Sequence, residues 1–105
     1  MKKILQINFK FNIPRAEAEK ALLQSAPMFG PGGNVKGLQW KIWLMNEAEK
    51  SAGGIYLFED EASVEAYLKG EIAASLKTNP ALSDVEVKVF DILLEHTKIT
   101  RGPVE

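Results

Sequence analysis

Aromatic side chains recur on segments that are predicted to be neighbouring strands, and such rings can line a pocket for a flat aromatic molecule. They are Phe9, Phe11, Trp40, Trp43, Tyr56 and Phe58. In a pocket they would supply an apolar wall, with indole N–H and phenol O–H groups to orient a ligand. Aromatic residues also dominate protein cores and dimer interfaces, which is their more usual role. The sequence predicts substrate-binding roles for five of them (Phe9, Phe11, Trp40, Trp43 and Phe58), with core or interface packing as the alternative.

Two polar residues of the same strands are candidates for catalysis, Asn8 and Tyr56. The amide of Asn8 could bind a substrate carbonyl or enolate, or position dioxygen. A buried amide also needs partners, so a bond from Asn8 to another side chain or water is the alternative. Lys10 and Lys41 could stabilise an anionic enolate. A solvated lysine near a strand end is the more usual case.

No other cluster points to a reaction. The chain has no cysteine, which excludes thiol catalysis, thiolate metal sites and disulfides. The only histidine, His96, follows the last predicted strand without a second histidine nearby, so we predict no metal site. Gly53 and Gly54 open a strand rather than a helix, which favours close backbone approach over phosphate binding. We predict that no cofactor is bound.

Length and charge restrict the class of protein. The chain has 105 residues, a net charge of -1 and a pI of about 5.9. One domain is expected at this length. Without a basic surplus, nucleic acid is not expected as a partner, and no apolar run reaches the length of a membrane span. The start does not resemble a signal peptide, so we predict a cytoplasmic protein.

Period-two alternation of apolar residues predicts four strands, over residues 4–11, 37–45, 53–59 and 85–94. In the second strand, Leu38 and Trp40 are predicted to share one face and Trp43 to lie on the other. At most one of the two tryptophans can therefore line a pocket beneath the helices, and the sequence leaves open which.

Two helices are predicted between these strands. Pro14 suits the first turn of a helix over residues 15–26, which has a narrow stripe of small residues that includes Ala18 and Ala21. Asp60 is the predicted N-cap of a second helix. Its apolar stripe runs at intervals of four residues through Val64, Leu68, Ile72 and Leu76.

The resulting order is βαββαβ, an α+β fold of the ferredoxin-like kind. It has a four-stranded antiparallel sheet with two helices on one face. We assign residues 1–95 to this domain and residues 96–105 to a C-terminal tail. Three of the strands carry large apolar groups on both faces, and two helices cover only one face. An uncovered apolar face of this size predicts a second subunit, and so a homodimer packed sheet against sheet.

Several segments closely resemble the YdhR family. They are Trp40-Lys41-Ile42-Trp43, Ala52-Gly53-Gly54-Ile55-Tyr56-Leu57-Phe58, Leu5-Gln6, Phe9, Phe11-Asn12, Tyr67-Leu68 and Val87-Lys88-Val89-Phe90-Asp91. The likeness runs from about Ile4 to Asp91. It implies a dimeric α/β barrel made by two ferredoxin-like subunits. The family is labelled monooxygenase by likeness to small enzymes that oxidise polycyclic aromatic intermediates without metal or flavin.

The resemblance and the aromatic residues together predict a cofactor-independent monooxygenase that acts on a small aromatic or polyphenolic molecule. In this chemistry, an electron-rich substrate loses a proton in a dry pocket and its carbanion reacts with dioxygen. Two alternatives remain open. One is a dimer that binds a small hydrophobic ligand without catalysis, and the other is an isomerase or decarboxylase, since the same superfamily contains both.

Overall fold

Strands and helices alternate along the chain in the computed structural model, which describes residues 1–105. The strands are β1 (Lys3–Phe11), β2 (Leu38–Asn46), β3 (Ser51–Phe58) and β4 (Leu82–Asp91). The helices are α1 (Arg15–Ser25), α2 (Glu61–Lys69), α3 (Glu71–Thr78) and α4 (Leu94–Ile99), and a short 3-10 helix spans Ala26–Phe29. No helix has both the length and the apolar character needed to cross a bilayer.

The four strands form one antiparallel sheet in the order β2-β3-β1-β4. The first strand is central, and the two βα halves place their crossovers on the same side. This arrangement confirms the predicted ferredoxin-like α+β fold.

The sheet surface that packs against α1, α2 and α3 is called the helix face below. Its centre is the alternating set Leu5, Ile7, Phe9 and Phe11 of β1, none of which is more than 6% exposed. From β3, Tyr56 and Phe58 join the same core. Burial of each large apolar side chain contributes roughly 1.5–3 kcal/mol, so this face supplies most of the apolar stabilisation.

A bulge in β2 changes which side chains reach that core. Leu38 pairs with Phe58 and Trp40 pairs with Leu57, so one extra residue lies between the two pairs. Leu38 therefore packs against the helix-face core, while Trp40 lies on the opposite face. The prediction that these two residues share a face is wrong because a bulge interrupts strict alternation.

The single helix predicted after Asp60 is two helices. Asp60 is the N-cap, as predicted, and its carboxylate accepts a hydrogen bond of 2.8 Å from the backbone N–H of Ser63. Gly70 then adopts an extended conformation, with φ −83° and ψ 174°, which ends α2 and begins α3. Glycine is a poor helix former, so the backbone breaks there. The predicted stripe still faces the core on both sides of the break.

The second surface of the sheet, called the open face below, carries Ile4, Asn8, Trp40, Ile42, Ile55, Leu57 and Phe90. Residues 94–105 lie across part of it. Val104 is 5% exposed, and the Trp40 indole N–H donates to the carbonyl of Pro103 over 2.7 Å. Helix α4 crosses the predicted boundary at residue 95. The predicted tail therefore packs on the sheet, and Leu57 is fully buried.

Candidate functional site

A cavity of about 220 Å³ lies between the helix face and the helices that cover it. Most of its wall is apolar. Every helix and strand except α4 supplies part of it. The main contributors are Phe9 and Phe11 of β1, Ala18, Ala21 and Leu22 of α1, Phe29 of the 3-10 helix, Lys41 and Trp43 of β2, Tyr56 of β3, Tyr67 of α2, and Ile72 and Leu76 of α3.

Aromatic rings meet at one end of this cavity. The rings of Phe29 and Trp43 are 5.3 Å apart and almost perpendicular, at 88°. The rings of Tyr56 and Tyr67 are 5.4 Å apart, and Phe29 lies 6.0 Å from Tyr56. These separations are within the range of favourable edge-to-face and tilted contacts, so the wall is ordered by ring packing.

Two phenol groups are buried in this wall. The hydroxyls of Tyr56 and Tyr67 lie 3.3 Å apart, and the residues are 3% and 7% exposed. Burial raises the pKa of Tyr56 strongly, with further contributions from the charge of Tyr67 and the bond between them. Burial also raises the pKa of Tyr67. Both groups stay protonated at neutral pH, and because their mutual bond uses one proton, the other O–H can donate to a bound molecule.

Lys41 is the only charged side chain in the cavity wall. Its ammonium lies 3.4 Å from the ring centroid of Trp43, 3.7 Å from that of Phe29 and 4.5 Å from that of Tyr56. Burial lowers the pKa of Lys41 to about 7. The three ring faces act in the opposite direction, since aromatic quadrupoles attract a cation. The charged and neutral forms of Lys41 are therefore both accessible near neutrality.

Two glycines within β3, Gly53 and Gly54, make room for this arrangement. A Cβ atom on Gly54 would lie 2.7 Å from Cε of Lys41, and one on Gly53 would lie 2.9 Å from Cα of Asn8. Gly53 therefore requires glycine for space, in agreement with the close backbone approach expected from the sequence, whereas a side chain at Gly54 would displace the flexible end of Lys41. Gly54 in particular lets the lysine side chain lie flat over the sheet.

Four of the residues selected from the sequence meet at the cavity: Phe9, Phe11, Trp43 and Tyr56. Phe58 is fully buried beneath them, with its ring 6.1 Å from that of Tyr56, and does not line the cavity. Asn8 and Trp40 lie on the open face, because they alternate with helix-face residues. The Asn8 amide oxygen accepts a hydrogen bond of 3.5 Å from the Gln6 amide.

The cavity residues that the sequence-based selection of site residues omits include Phe29, Lys41 and Tyr67. Lys41 was considered as an anion stabiliser, but a solvated position was favoured. The available signal was that Lys41 and Trp43 are two residues apart on β2, so their side chains lie on the same face. Phe29 follows a helix in a Pro- and Gly-rich segment, where no periodicity indicates which way a side chain points.

The other candidates lie elsewhere. His96 is exposed on α4, in a shallow groove beside Trp40. Nowhere in residues 1–105 do three or more His, Cys, Asp or Glu side chains gather in a way that could hold a metal ion.

Comparison with known proteins gives a family match over nearly the whole chain. The model of the family described as "Putative mono-oxygenase ydhR" matches residues 4–103. Among curated protein sequences, none matches significantly.

Similar solved structures share the fold. NE2512, a protein of unknown function from Nitrosomonas europaea, is 25% identical with a TM-score of 0.71, over 88% of this chain and 89% of that one. SnoaB, a cofactor-independent oxygenase from Streptomyces nogalater, is 19% identical with a TM-score of 0.63, over 87% and 92%. Rv0793 from Mycobacterium tuberculosis is 14% identical with a TM-score of 0.61, over 89% and 96%.

Proposed function

Because this chain belongs to the family described as "Putative mono-oxygenase ydhR", we propose that it is a cofactor-independent monooxygenase. Its substrate is a small aromatic or polyphenolic molecule, bound in the cavity beneath the helices. The likeness to SnoaB, which is described as a cofactor-independent oxygenase, supports the same reaction class.

The observation that carries this proposal is the chemical character of the cavity wall. It combines ring faces from Phe9, Trp43 and Tyr56 with buried phenol hydroxyls and one lysine. Rings of this kind contact the faces of a flat ligand, and the free phenol O–H can donate to a substrate oxygen. A volume of about 220 Å³ is below the usual range for drug-sized ligands, so a molecule of one or two rings fits the proposal best.

In such a reaction the protein contributes a shaped cavity that excludes water, together with hydrogen bonds to the substrate. The substrate itself supplies the electrons that reduce dioxygen. The cavity removes water from around the reacting oxygen atoms, which strengthens every hydrogen bond inside it. Tyr56 and Tyr67, which stay protonated, stabilise negative charge that develops on the substrate oxygen.

We further propose a homodimer that forms through the open face. Ile42 and Phe90, which lie on this face, are 49% and 45% exposed. Asn8 and Trp40, predicted as catalytic and substrate-binding residues, lie on this face and would therefore be near the second subunit. Location in the cytoplasm remains a prediction from the sequence.

Oxygen uptake with 1,5-dihydroxynaphthalene tests the proposal. A monooxygenase would convert it with one O₂ to 5-hydroxy-1,4-naphthoquinone and one water, and ¹⁸O₂ would place one labelled atom in each product. Ala21→Trp fills the cavity mouth and should abolish the reaction. Leu23→Trp, on the same helix at a position 74% exposed, is the matched control and should retain it.

Absence of oxygen uptake above the uncatalysed rate would contradict the proposal. Turnover of this substrate that continues without oxygen would instead indicate an isomerase, since the molecule has no carboxylate to lose.

A further inference from the structure

We infer that Lys41 is the base of this site, and that the cavity selects ligands with an acidic phenol or enol group. Lys41 takes the proton of that group and remains beside the oxygen anion as an ammonium. The inference rests on the proposed function for the oxygenation step, whereas the ligand class follows from the cavity alone.

The first argument is charge. Lys41 makes no salt bridge, and no aspartate or glutamate lines the cavity from any element packed around it. The other titratable groups that face it are the phenols of Tyr56 on β3 and Tyr67 on α2, which stay neutral. The remaining polar side chains, Ser25, Ser75 and Asn79, do not titrate. A lone ammonium in an apolar cavity lacks a counterion, which an anionic ligand would supply.

The second argument is proton affinity. Desolvation brings the pKa of Lys41 to about 7, so a neutral amine is present at physiological pH. The rings of Trp43 and Phe29, with centroids 3.4 Å and 3.7 Å away, then stabilise the ammonium that forms when the amine takes a proton. A base poised near the working pH is the most effective kind for proton transfer.

The third argument is position. Gly54 lets the lysine stem cross β3 without a clash, and the amine ends beside the rings that would contact the ligand. Lys10, the other lysine considered for this role, is exposed and lies on the open side of β1. The cavity therefore offers one amine to a ligand.

The reaction balances with dioxygen as the only co-reactant. With 1,5-dihydroxynaphthalene, the O–H proton moves to Nζ of Lys41 and its electron pair delocalises to the para carbon. That carbon forms a bond to dioxygen, which is reduced to a peroxide as the ring is oxidised. The peroxide takes the proton held by Lys41. Its O–O bond then breaks, the para C–H proton leaves, and the products are the quinone carbonyl and water.

The test combines a binding readout with turnover. 4-Nitrophenol is the probe, because its phenolate absorbs visible light and its neutral form does not. At a pH where the free probe is mainly neutral, wild-type protein and Lys41→Arg should bind it as the phenolate. Lys41→Met should bind it, if at all, as the neutral phenol. Lys10→Met is the matched control and should behave as wild type.

Turnover of 1,5-dihydroxynaphthalene separates a base from a simple cation. Arginine keeps the charge but cannot accept a proton, so Lys41→Arg should lose roughly 10²–10⁴-fold in kcat/KM, as should Lys41→Met. Wild-type kcat/KM, corrected for the uncatalysed oxidation, should rise with pH through about 7, and this limb should vanish in Lys41→Arg.

The outcomes are separable. Phenolate bound equally by wild type and Lys41→Met, no probe binding by wild type, or wild-type turnover in Lys41→Arg would each overturn the inference. Lysine-dependent binding of phenolate without oxygen uptake would support the ligand class and contradict only the proposed oxygenase activity.

Discussion

The two faces of the sheet are built by alternate residues of the same four strands, yet the rest of the chain covers them to different extents. On the helix face, Leu5 and Phe58 have no exposed surface, and the chain itself encloses a cavity with one ammonium inside. On the open face, Ile42 and Phe90 remain about half exposed although residues 94–105 lie across part of it. The comparison teaches that the chain covers the centre of the helix face itself, around the cavity, and leaves exposed apolar groups there only on the edge strand, at Val87 and Val89. On the open face it leaves apolar side chains exposed where the proposed dimer would form.

The largest effect on stability should distinguish the two faces directly. Phe58→Ala removes a fully buried ring and should lower the free energy of unfolding by about 3–5 kcal/mol. Phe90→Ala removes a ring that is 45% exposed and should lower the monomer's stability by less than about 1 kcal/mol. Urea unfolding at low protein concentration measures both. Equal losses would mean that the faces are equally buried in solution.

Assembly should depend on the open face alone. Ile42→Asp places a charge in the apolar patch proposed as the dimer interface, where an unpaired carboxylate is strongly unfavourable. Sedimentation velocity should show a dimer for wild type and a monomer for this variant. Leu23→Asp, at a position 74% exposed on α1, should remain dimeric. A wild-type monomer, or a dimer in both variants, would remove the open face as the interface.

Lys41, half-buried among aromatic rings, should give the helix face a pH dependence that the open face lacks. The pKa of Lys41 is about 7 when folded and its ordinary value is 10.5, so the unfolded chain binds more protons between these pH values. Stability must then rise with pH across that interval, because the penalty for burying the ammonium is full below pH 7 and disappears towards 10.5.

Relative to Lys41→Met, wild type should therefore gain up to a few kcal/mol between about pH 6 and about pH 9. Urea unfolding at both pH values measures the difference, with Lys10→Met as the control that should track wild type. A parallel pH response in wild type and Lys41→Met would show that Lys41 is solvated.

A smaller effect than that of Phe58→Ala concerns the C-terminal segment. Val104→Ala should lower the free energy of unfolding by about 1–2 kcal/mol, because two buried methyl groups are lost from the open face. The emission of Trp40 should also change, since its indole N–H donates to the adjacent Pro103 carbonyl. Glu105→Ala, at an exposed position, is the control. No change in Val104→Ala would mean that the segment is detached in solution.

Alternation predicted much of this architecture. The pattern of Leu5, Ile7, Phe9 and Phe11 defined the core side of β1, and it placed Trp40 and Trp43 on opposite faces. The same pattern already separated Asn8 from Phe9, so the two could not line one cavity. Alternation indicates which residues share a face, but not which of the two faces the helices cover. That is decided only when the helices pack against the sheet.

The sequence pattern did not predict two local irregularities of the backbone. The bulge between Leu38 and Trp40 and the break at Gly70 each depend on tertiary packing as well as on residue type. The setting of Lys41 was missed for a related reason. A lysine on a strand is usually solvated, and only the assembled rings of Phe29, Trp43 and Tyr56 partly shield the amine of this one from water.

A crystal structure of the protein grown with 4-nitrophenol would test most directly the claim that the helix face holds the functional site. The account predicts the probe inside the cavity, with its phenol oxygen beside Nζ of Lys41 and its ring against Trp43 and Tyr56. A probe bound instead in the groove beside Trp40 and His96, with the cavity empty, would contradict it.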